Sequence, residues 1–257
     1  MNHMHTVTIC IPIWNEQENI GRLLDVLEEQ FDPNETLVRY VIVDDSSFDN
    51  SGLVIKSHSS KDRILLLTNE ENLGHGPSVL IGLRNAITLP SDYFVTLDGD
   101  GQLDVSQFGK HMKTILSGAL GQFDVCEFSR QGRSEGPMRT LLSWLSRIYI
   151  FVATGLRVAD ANTPVRIYRS ASLKRLLSYV PLDAKILAPN ILFSITTREQ
   201  GWHIASLPLN WGNPIGSPHR PRAVTWGKGL ARVKKLAIFA LRAWIQIHQI
   251  RAMSRGR

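Results

Sequence analysis

Three features of the 257-residue chain point to an α/β fold, a mostly parallel central sheet flanked by helices. β-branched apolar runs alternate with segments whose apolar residues recur at helical spacing. The runs end in turns rich in Asp, Asn and Gly, and 43% hydrophobic content suffices for one sizeable core. Strands separated by helices require right-handed crossovers and parallel pairing. Ligands of such sheets collect beyond the carboxyl ends of the strands.

The first strand is Val7 to Ile13, closed by Trp14-Asn15-Glu16, and a helix follows over Glu18 to Gln30 through Ile20, Leu23, Leu24 and Leu27. Val38 to Val43 is a second strand, ending in Asp44-Asp45-Ser46-Ser47, with a short helix around Leu53, Val54 and Ile55. Ile64 to Leu67 is a third, leading through Asn72-Leu73-Gly74-His75-Gly76 into a helix carrying Leu80, Leu83 and Ile87. Tyr93 to Leu97 is a fourth, running into Asp98-Gly99-Asp100-Gly101-Gln102, and Asp124 to Phe128 a fifth. The turns after strands one, two and four hold most of the carboxylates and lie on the edge where ligands bind.

The second half is less regular. Helices are expected over Arg139 to Val158, over Pro181 to Gln200 with Pro189 as a weak point, and over Lys228 to Arg251. In the last, Val233, Leu236, Ala240, Trp244 and Ile247 form one side and Lys228, Arg232, Lys235 and Arg242 largely the other. Asn210 to Pro221 is rich in Gly and Pro and reads as a loop. The expected organisation is one main domain over residues 1–222 and a basic amphipathic helical extension over 223–257.

The formal charge is +6, unevenly spread. Up to Glu199 the chain has nineteen Lys and Arg against twenty-three Asp and Glu; beyond it come ten basic residues and no acid. A basic end of this kind meets an anionic membrane, a phosphorylated ligand or nucleic acid. No nucleic-acid motif accompanies it, and the apolar helix faces favour lipid. Cys10 and Cys126 lie in strand-like runs and are expected as buried small apolar residues of a reducing cytoplasm. The N-terminal MNHMHTVTIC lacks a signal-peptide layout, and no apolar run nears the roughly 20 residues of a membrane span. The expectation is a cytoplasmic protein, peripheral on the cytoplasmic face of a membrane.

Asp98, Asp100 and Gln102 carry the clearest chemistry. Alternate residues of an extended segment point the same way, so two carboxylates and an amide oxygen can converge. That set suits a hard cation, Mg²⁺ or Mn²⁺, completing its shell with phosphate oxygens and water. Pro12, Trp14 and Glu16 offer an aromatic and a polar wall for a nucleoside, and Asp44 and Asp45 can accept hydrogen bonds from base or ribose. Gly74 and Gly76 do not make a dinucleotide fingerprint, and no P-loop lysine follows them.

Pro12-x-x-Asn15-Glu16, Val43-Asp44-Asp45-Ser46-Ser47, Asn72-x-Gly74 and Leu97-Asp98-Gly99-Asp100-Gly101-Gln102 together resemble family-2 glycosyltransferases of the Rossmann-like GT-A fold. The D-x-D-x-Q form is similar to the dolichol-phosphate mannose synthase group, which loads a sugar onto a polyprenyl phosphate. The likeness spans Val7 to Arg169. It implies that Pro12, Trp14, Glu16, Asp44 and Asp45 surround the nucleoside of a GDP- or UDP-sugar. Asp98, Gly99 and Asp100 would meet its diphosphate, with Asp98, Asp100 and Gln102 on the metal. Phe128-Ser129-Arg130 resembles the group's S-R, making Arg130 catalytic with Asp100 and Arg139. Arg139 and Ser143 resemble its acceptor-phosphate contacts. Asp160-Ala161-Asn162-Thr163-Pro164 is similar to D-x-x-S-G-F, with Pro164-Val165 in place of Gly-Phe. The group's R-x-x-G-x-S-K loop becomes Asn213 to Arg220.

A single displacement at the anomeric carbon inverts configuration. A phosphate acceptor has a second pKa near about 6, arrives ionised and needs little general-base help. Arginines suit its oxygens; Arg130, Arg133, Arg139 and Arg166 are the candidates. The partners implied are a nucleotide sugar, a polyprenyl phosphate, an anionic membrane surface and a membrane-anchored partner protein. The alternative acceptor is a hydroxyl of a soluble glycan, which needs a base among Glu135, Asp160, Asp183 and Glu199.

Overall fold

The strand β1 (His5–Ile13) is buried on both faces, as a central parallel strand must be: Val7, Ile9, Ile11 and Ile13 point to one side, Cys10 to the other. It is flanked by β2 (Thr36–Asp44) and β4 (Tyr93–Thr96), both parallel to it. The seven-stranded sheet also contains β3 (Ile64–Thr68), β5 (Val125–Gln131), β6 (Arg166–Arg169) and β7 (Ile204–Asn210), in the order β3-β2-β1-β4-β6-β5-β7. The structure is a computed structural model describing residues 4–131, 137–161, 163–212 and 229–255, without the side chains of 137–139, 142, 229–237 and 253–255.

One face of the sheet is covered by α1 (Ile20–Glu28), α2 (Ser51–Ser57) and α4 (Val105–Leu116). Ile20, Leu23, Leu24, Leu27, Ile55, Phe108, Met112 and Ile115 pack there against the odd-numbered residues of β1. The other face carries α3 (His75–Ala86), α5 (Pro137–Thr154), α6 (Ser170–Ser178), α7 (Pro189–Glu199) and α8 (Gly229–Arg255). Leu80, Leu83, Ile150, Leu173, Phe193, Ile247 and Ile250 join Cys10 and Val41 in that second core. Both cysteines are free and buried, and burial pushes their thiol pKa values up, that of Cys126 to about 12.

The sheet is mostly parallel, and the five expected strands form. β6 was not foreseen, and it runs antiparallel to both β4 and β5. Its four residues, Arg166-Ile167-Tyr168-Arg169, begin and end in charge, which hides a buried strand from any reading of apolar period. The expected helix from Pro181 starts instead at Pro189. A residue without an N–H and with fixed φ belongs in the first turn of a helix, so Pro189 opens α7 rather than weakening it.

The apolar side read for the helix α8 is divided between core and surface. Ala243, Ile247, Ile250 and Arg251 are buried, whereas Trp244 is 46% exposed. Arg251 donates to Glu199 of α7. The Tyr149 ring of α5 meets that of His248 at 5.9 Å with the planes tilted by 52°, so α8 is seated on the α5–α7 layer. Its outer face, and that of α5, remain apolar. Leu141, Trp144, Leu145, Ile148, Phe151 and Val152 are exposed on α5, with Ile238, Phe239, Leu241, Trp244 and Ile245 on α8. Among the described residues no helix is long and apolar enough to cross a membrane.

Candidate functional site

Parallel pairing of β1 with β2 and β4 brings the turns after these three strands to one edge. Backbone reversal there uses left-handed residues, Asn15 at φ 57° and Ser46 at φ 61°. Such conformations need support, and the two turns brace each other. Asn15 N–H donates to Ser47 Oγ, and Phe48 N–H returns a hydrogen bond to Asn15 Oδ1, at 2.8 and 3.0 Å. Glu16 N–H donates to Ser51 Oγ at 2.8 Å.

The aspartate pair after β2 does different work at its two positions. Asp44 is 5% exposed and accepts from the Ser47 N–H, so it turns inward and does not line the cleft. Asp45 lines the cleft, but its oxygens are engaged. Oδ1 accepts from Leu73 N–H and the Asn69 amide, and Oδ2 from Gly74 N–H, at 2.9, 2.7 and 2.8 Å. The expectation that both line the nucleoside site is corrected for Asp44, which closes its own turn; Asp45 lines the cleft while tying the 72–74 turn to the sheet edge, with acceptor capacity left on Oδ2.

The cleft these turns enclose measures about 380 Å³. Pro12, Trp14, Glu16, Asp45, Asp98, Gly99 and Asp100 line it as the sequence indicates, and Asn72, Gly74, His75 and Ser78 are added from the opposite wall. Trp14 is 51% exposed and meets Phe48 edge-to-face at 6.0 Å, a flat aromatic surface suited to a base. Gly99 is dictated by packing. A Cβ there would lie 2.5 Å from Ile13 Cγ2, so the acidic turn can rest on β1 only without a side chain between its two aspartates.

Negative charge gathers on this floor. Burial, then the fields of Asp100, Asp49 and Asp98, push the Glu16 carboxyl above its usual range, against a lowering hydrogen bond from Asn19. Asp98 Oδ1 is buried without a hydrogen-bond partner, and His75 Nε2 stands 3.7 Å from it. A buried carboxylate oxygen left unpartnered is costly, and a hard divalent cation beside Asp98 and Asp100 fits the donor set. Gln102 does not complete that set as expected. Its Oε1 accepts the Trp211 indole N–H at 2.9 Å, its carbonyl accepts Gly212 N–H, and it does not line the cleft. Among the described residues no three His, Cys, Asp or Glu are placed to hold an ion, so phosphate and water oxygens would have to finish the shell.

On the acceptor side, Arg130 is held by Asp160 in a two-pronged pair, Nε to Oδ2 at 2.6 Å and Nη2 to Oδ1 at 3.0 Å. Its guanidinium also lies 6.0 Å from the Trp211 ring centre. Arg166 is fully buried, its Nη1 2.9 Å from Glu127 Oε1 and its Nη2 donating to Ser194 Oγ at 2.7 Å. It cannot reach an acceptor phosphate, and that expectation is withdrawn. The backbone of α5 carries Arg139 and Ser143 one turn apart, with Ser143 half-buried. The Arg139 side chain, Arg133, Glu135, Asn162 and the 213–220 loop lie outside the described residues.

The missed residues are His75, Asn72, Ser78 and Trp211. Asn72 and His75 sit in the N-x-G-H-G turn already singled out, so its position beside the acidic turn was the signal available. For Trp211 there was none: its partner Gln102 is 109 residues away.

Comparison with known proteins agrees with this fold. The M. tuberculosis glucosyl-3-phosphoglycerate synthase, solved in complex with UDP, covers 96% of this chain and 80% of its own at a TM-score of 0.61 and 15% identity. S. aureus TarS 1-349 in complex with UDP covers 79% and 57% at a TM-score of 0.55 and 21% identity. Among curated proteins, the undecaprenyl-phosphate 4-deoxy-4-formamido-L-arabinose transferase of Edwardsiella ictaluri (strain 93-146) is 25% identical over 190 residues, 71% of this chain and 56% of the relative. That of Pseudomonas fluorescens (strain SBW25) is 25% identical over 209 residues, 77% and 59%. The chain thus spans somewhat more than half the length of these relatives. The profile of Glycosyl transferase family 2 matches residues 8–177, two thirds of the sequence and every turn that builds the cleft, and the chain belongs to that family.

Proposed function

We propose that this chain is an inverting, metal-dependent glycosyltransferase that moves a sugar from a nucleoside-diphosphate donor onto a polyprenyl phosphate. The observation that carries the donor half is the acidic floor, where Asp98 keeps an unpartnered buried oxygen beside Asp100 and Glu16. Without positive charge such a floor repels a diphosphate. A bound Mg²⁺ or Mn²⁺ supplies the charge that stabilises the departing diphosphate. Asp98 and Asp100 hold it, Trp14 offers its face to the base, and Gly99 keeps the acidic turn close against β1.

The acceptor half rests on two supports. The curated relatives in the comparison are named for transfer to undecaprenyl phosphate. Of the described carboxylates that could serve a hydroxyl acceptor, Asp160 is held by Arg130 and Glu199 by Arg251. An ionised phosphate needs no such base. Arg139 and Ser143, on the first turns of α5, are the proposed contacts to its oxygens. The acceptor places the protein at a membrane surface on its cytoplasmic face.

The test is transfer from a panel of GDP- and UDP-sugars to a polyprenyl phosphate in detergent, with Mn²⁺, with Mg²⁺ and with chelator. Turnover with one donor class, dependent on metal and lost by at least about 10²-fold in Asp100→Ala, is expected. Transfer by that variant at the wild-type rate overturns the metal reading. Transfer to a soluble glycan hydroxyl but not to polyprenyl phosphate overturns the acceptor.

A further inference from the structure

A second groove, of about 400 Å³, runs between the start of α3 and α8, on the side of the 73–78 turn away from the donor cleft. Leu73, Pro77, Leu187 and Ile245 form apolar walls, and Lys185 and Arg242 stand at its rim. No acidic residue lines it, and neither cation makes an ion pair among the described residues. Asp183, the nearest acid along the chain from Lys185, exerts its field on Arg84.

The groove is built rather than accidental. A Cβ on Gly76 would come within 2.4 Å of the carbonyl oxygens of Ile186 and Leu187, so the first turn of α3 lies directly on that segment. Gln246 clamps the same segment to α8, accepting from Leu187 N–H at 3.1 Å and donating to the Lys185 carbonyl at 3.0 Å. Arg242 and Gln246 are one turn apart on α8 and share a face. The groove therefore has fixed walls, and it opens beside the exposed Leu241, Trp244 and Ile245.

We propose that this groove binds the head of an anionic phospholipid, its phosphate between Lys185 and Arg242 and the start of its hydrocarbon on Leu73, Pro77, Leu187 and Ile245. A guanidinium and an ammonium suit a phosphate diester, and the apolar walls continue into a helix face fit for the headgroup boundary. A soluble phosphate would gain nothing from those walls, whereas a bilayer lipid uses both halves of the groove. This inference deepens the membrane placement proposed above, and bound lipid would fix the 73–78 turn over the donor cleft at the membrane surface.

The test is partition of the full chain to vesicles of phosphatidylcholine alone and of equimolar phosphatidylcholine and phosphatidylglycerol. The double variant Lys185→Gln/Arg242→Gln is compared with Lys56→Gln/Lys113→Gln, which removes equal charge from the opposite face of the sheet. Binding to the anionic vesicles should fall about tenfold or more in the first pair and about twofold or less in the second. Lys185→Arg/Arg242→Lys, which preserves charge, should restore it. Equal losses in both pairs, or none in the first, overturn the groove as a site. Unfolding midpoints of all variants separate this from misfolding. Transfer by the wild type in detergent is measured apart from vesicles, so failure of the groove and failure of the proposed reaction are read independently.

Discussion

Trp211 and Gln102 set the shape of the acidic turn. The indole N–H holds the Gln102 oxygen, the Gln102 N–H donates to Asp100 Oδ1 at 3.1 Å, and Arg130 lies beside the indole while gripping Asp160. We infer that Gln102 acts on Asp100 through position, since its side-chain oxygen is taken by Trp211 and its N–H by Asp100. Trp211→Phe keeps an aromatic ring, though a smaller one, and deletes the donor; Gln102→Ala deletes the acceptor. Each should raise the Mn²⁺ concentration for half-maximal transfer severalfold, and the double variant should be little worse than either. The check is a double-mutant cycle on metal dependence. Strictly additive losses would show that Gln102 and Trp211 act separately, and Gln102 would return as a candidate ligand.

At the scale of elements, the unforeseen β6 owes its place to a charged cluster. Glu127 of β5 meets Arg166 of β6 and Arg198 of α7, with Arg198 Nη2 donating to Glu127 Oε2 at 2.8 Å and Ser194 Oγ to Oε1 at 2.9 Å. Burial raises the Glu127 carboxyl, but Arg166 and Arg198 more than offset it, and the net pKa is lowered. A depressed carboxyl contributes stability that is fully present above its unfolded pKa of about 4.3 and is lost as pH falls through the folded value. Glu127→Gln should cost about 3–5 kcal/mol at neutral pH, because it leaves Arg166 buried and uncompensated. It should also remove part of the stability loss below about pH 4. Urea unfolding of both proteins across pH checks this; a neutral-pH loss under about 1 kcal/mol would mean that the cluster is not what holds β6.

For the molecule as a whole, the surface of two helices is unusual: α5 and α8, linked through Tyr149–His248 and Arg251–Ala153, expose Trp144, Phe151, Phe239 and Trp244. Exposed apolar residues gathered on a helix mark an interaction face, and the basic residues beyond Glu199 favour an anionic bilayer. Removing α8 is a poor test, since Ile247 and Ile250 belong to the core. Trp144→Ser/Phe239→Ser is better, both side chains being half exposed. It should weaken co-sedimentation with anionic liposomes at least about tenfold, each aromatic contributing roughly 1.5–3 kcal/mol of burial, with the thermal midpoint nearly unchanged. Undiminished pelleting of the variant would remove this face from membrane docking.

The first five strands, the helices after the first three of them, the three turns on the binding edge and the acidic pair Asp98–Asp100 were legible in the chain itself, whereas α4 was not. Each is written locally, as a period of two or 3.6 residues or as a motif within six positions, and parallel pairing then delivers such turns to one edge whatever the rest of the chain does. The inward turn of Asp44, the capture of Gln102 by Trp211, the burial of Arg166 and the share of α8 that joins the core were decided by tertiary structure. Arg166 looks like any surface arginine until Glu127, Ser194 and Arg198 close around it, and the one apolar side read for α8 is split, with Ile247 in the core and Trp244 left exposed. A buried charge or a helix face is settled by partners distant in sequence, whose energies depend on the burial that only the assembled layers create.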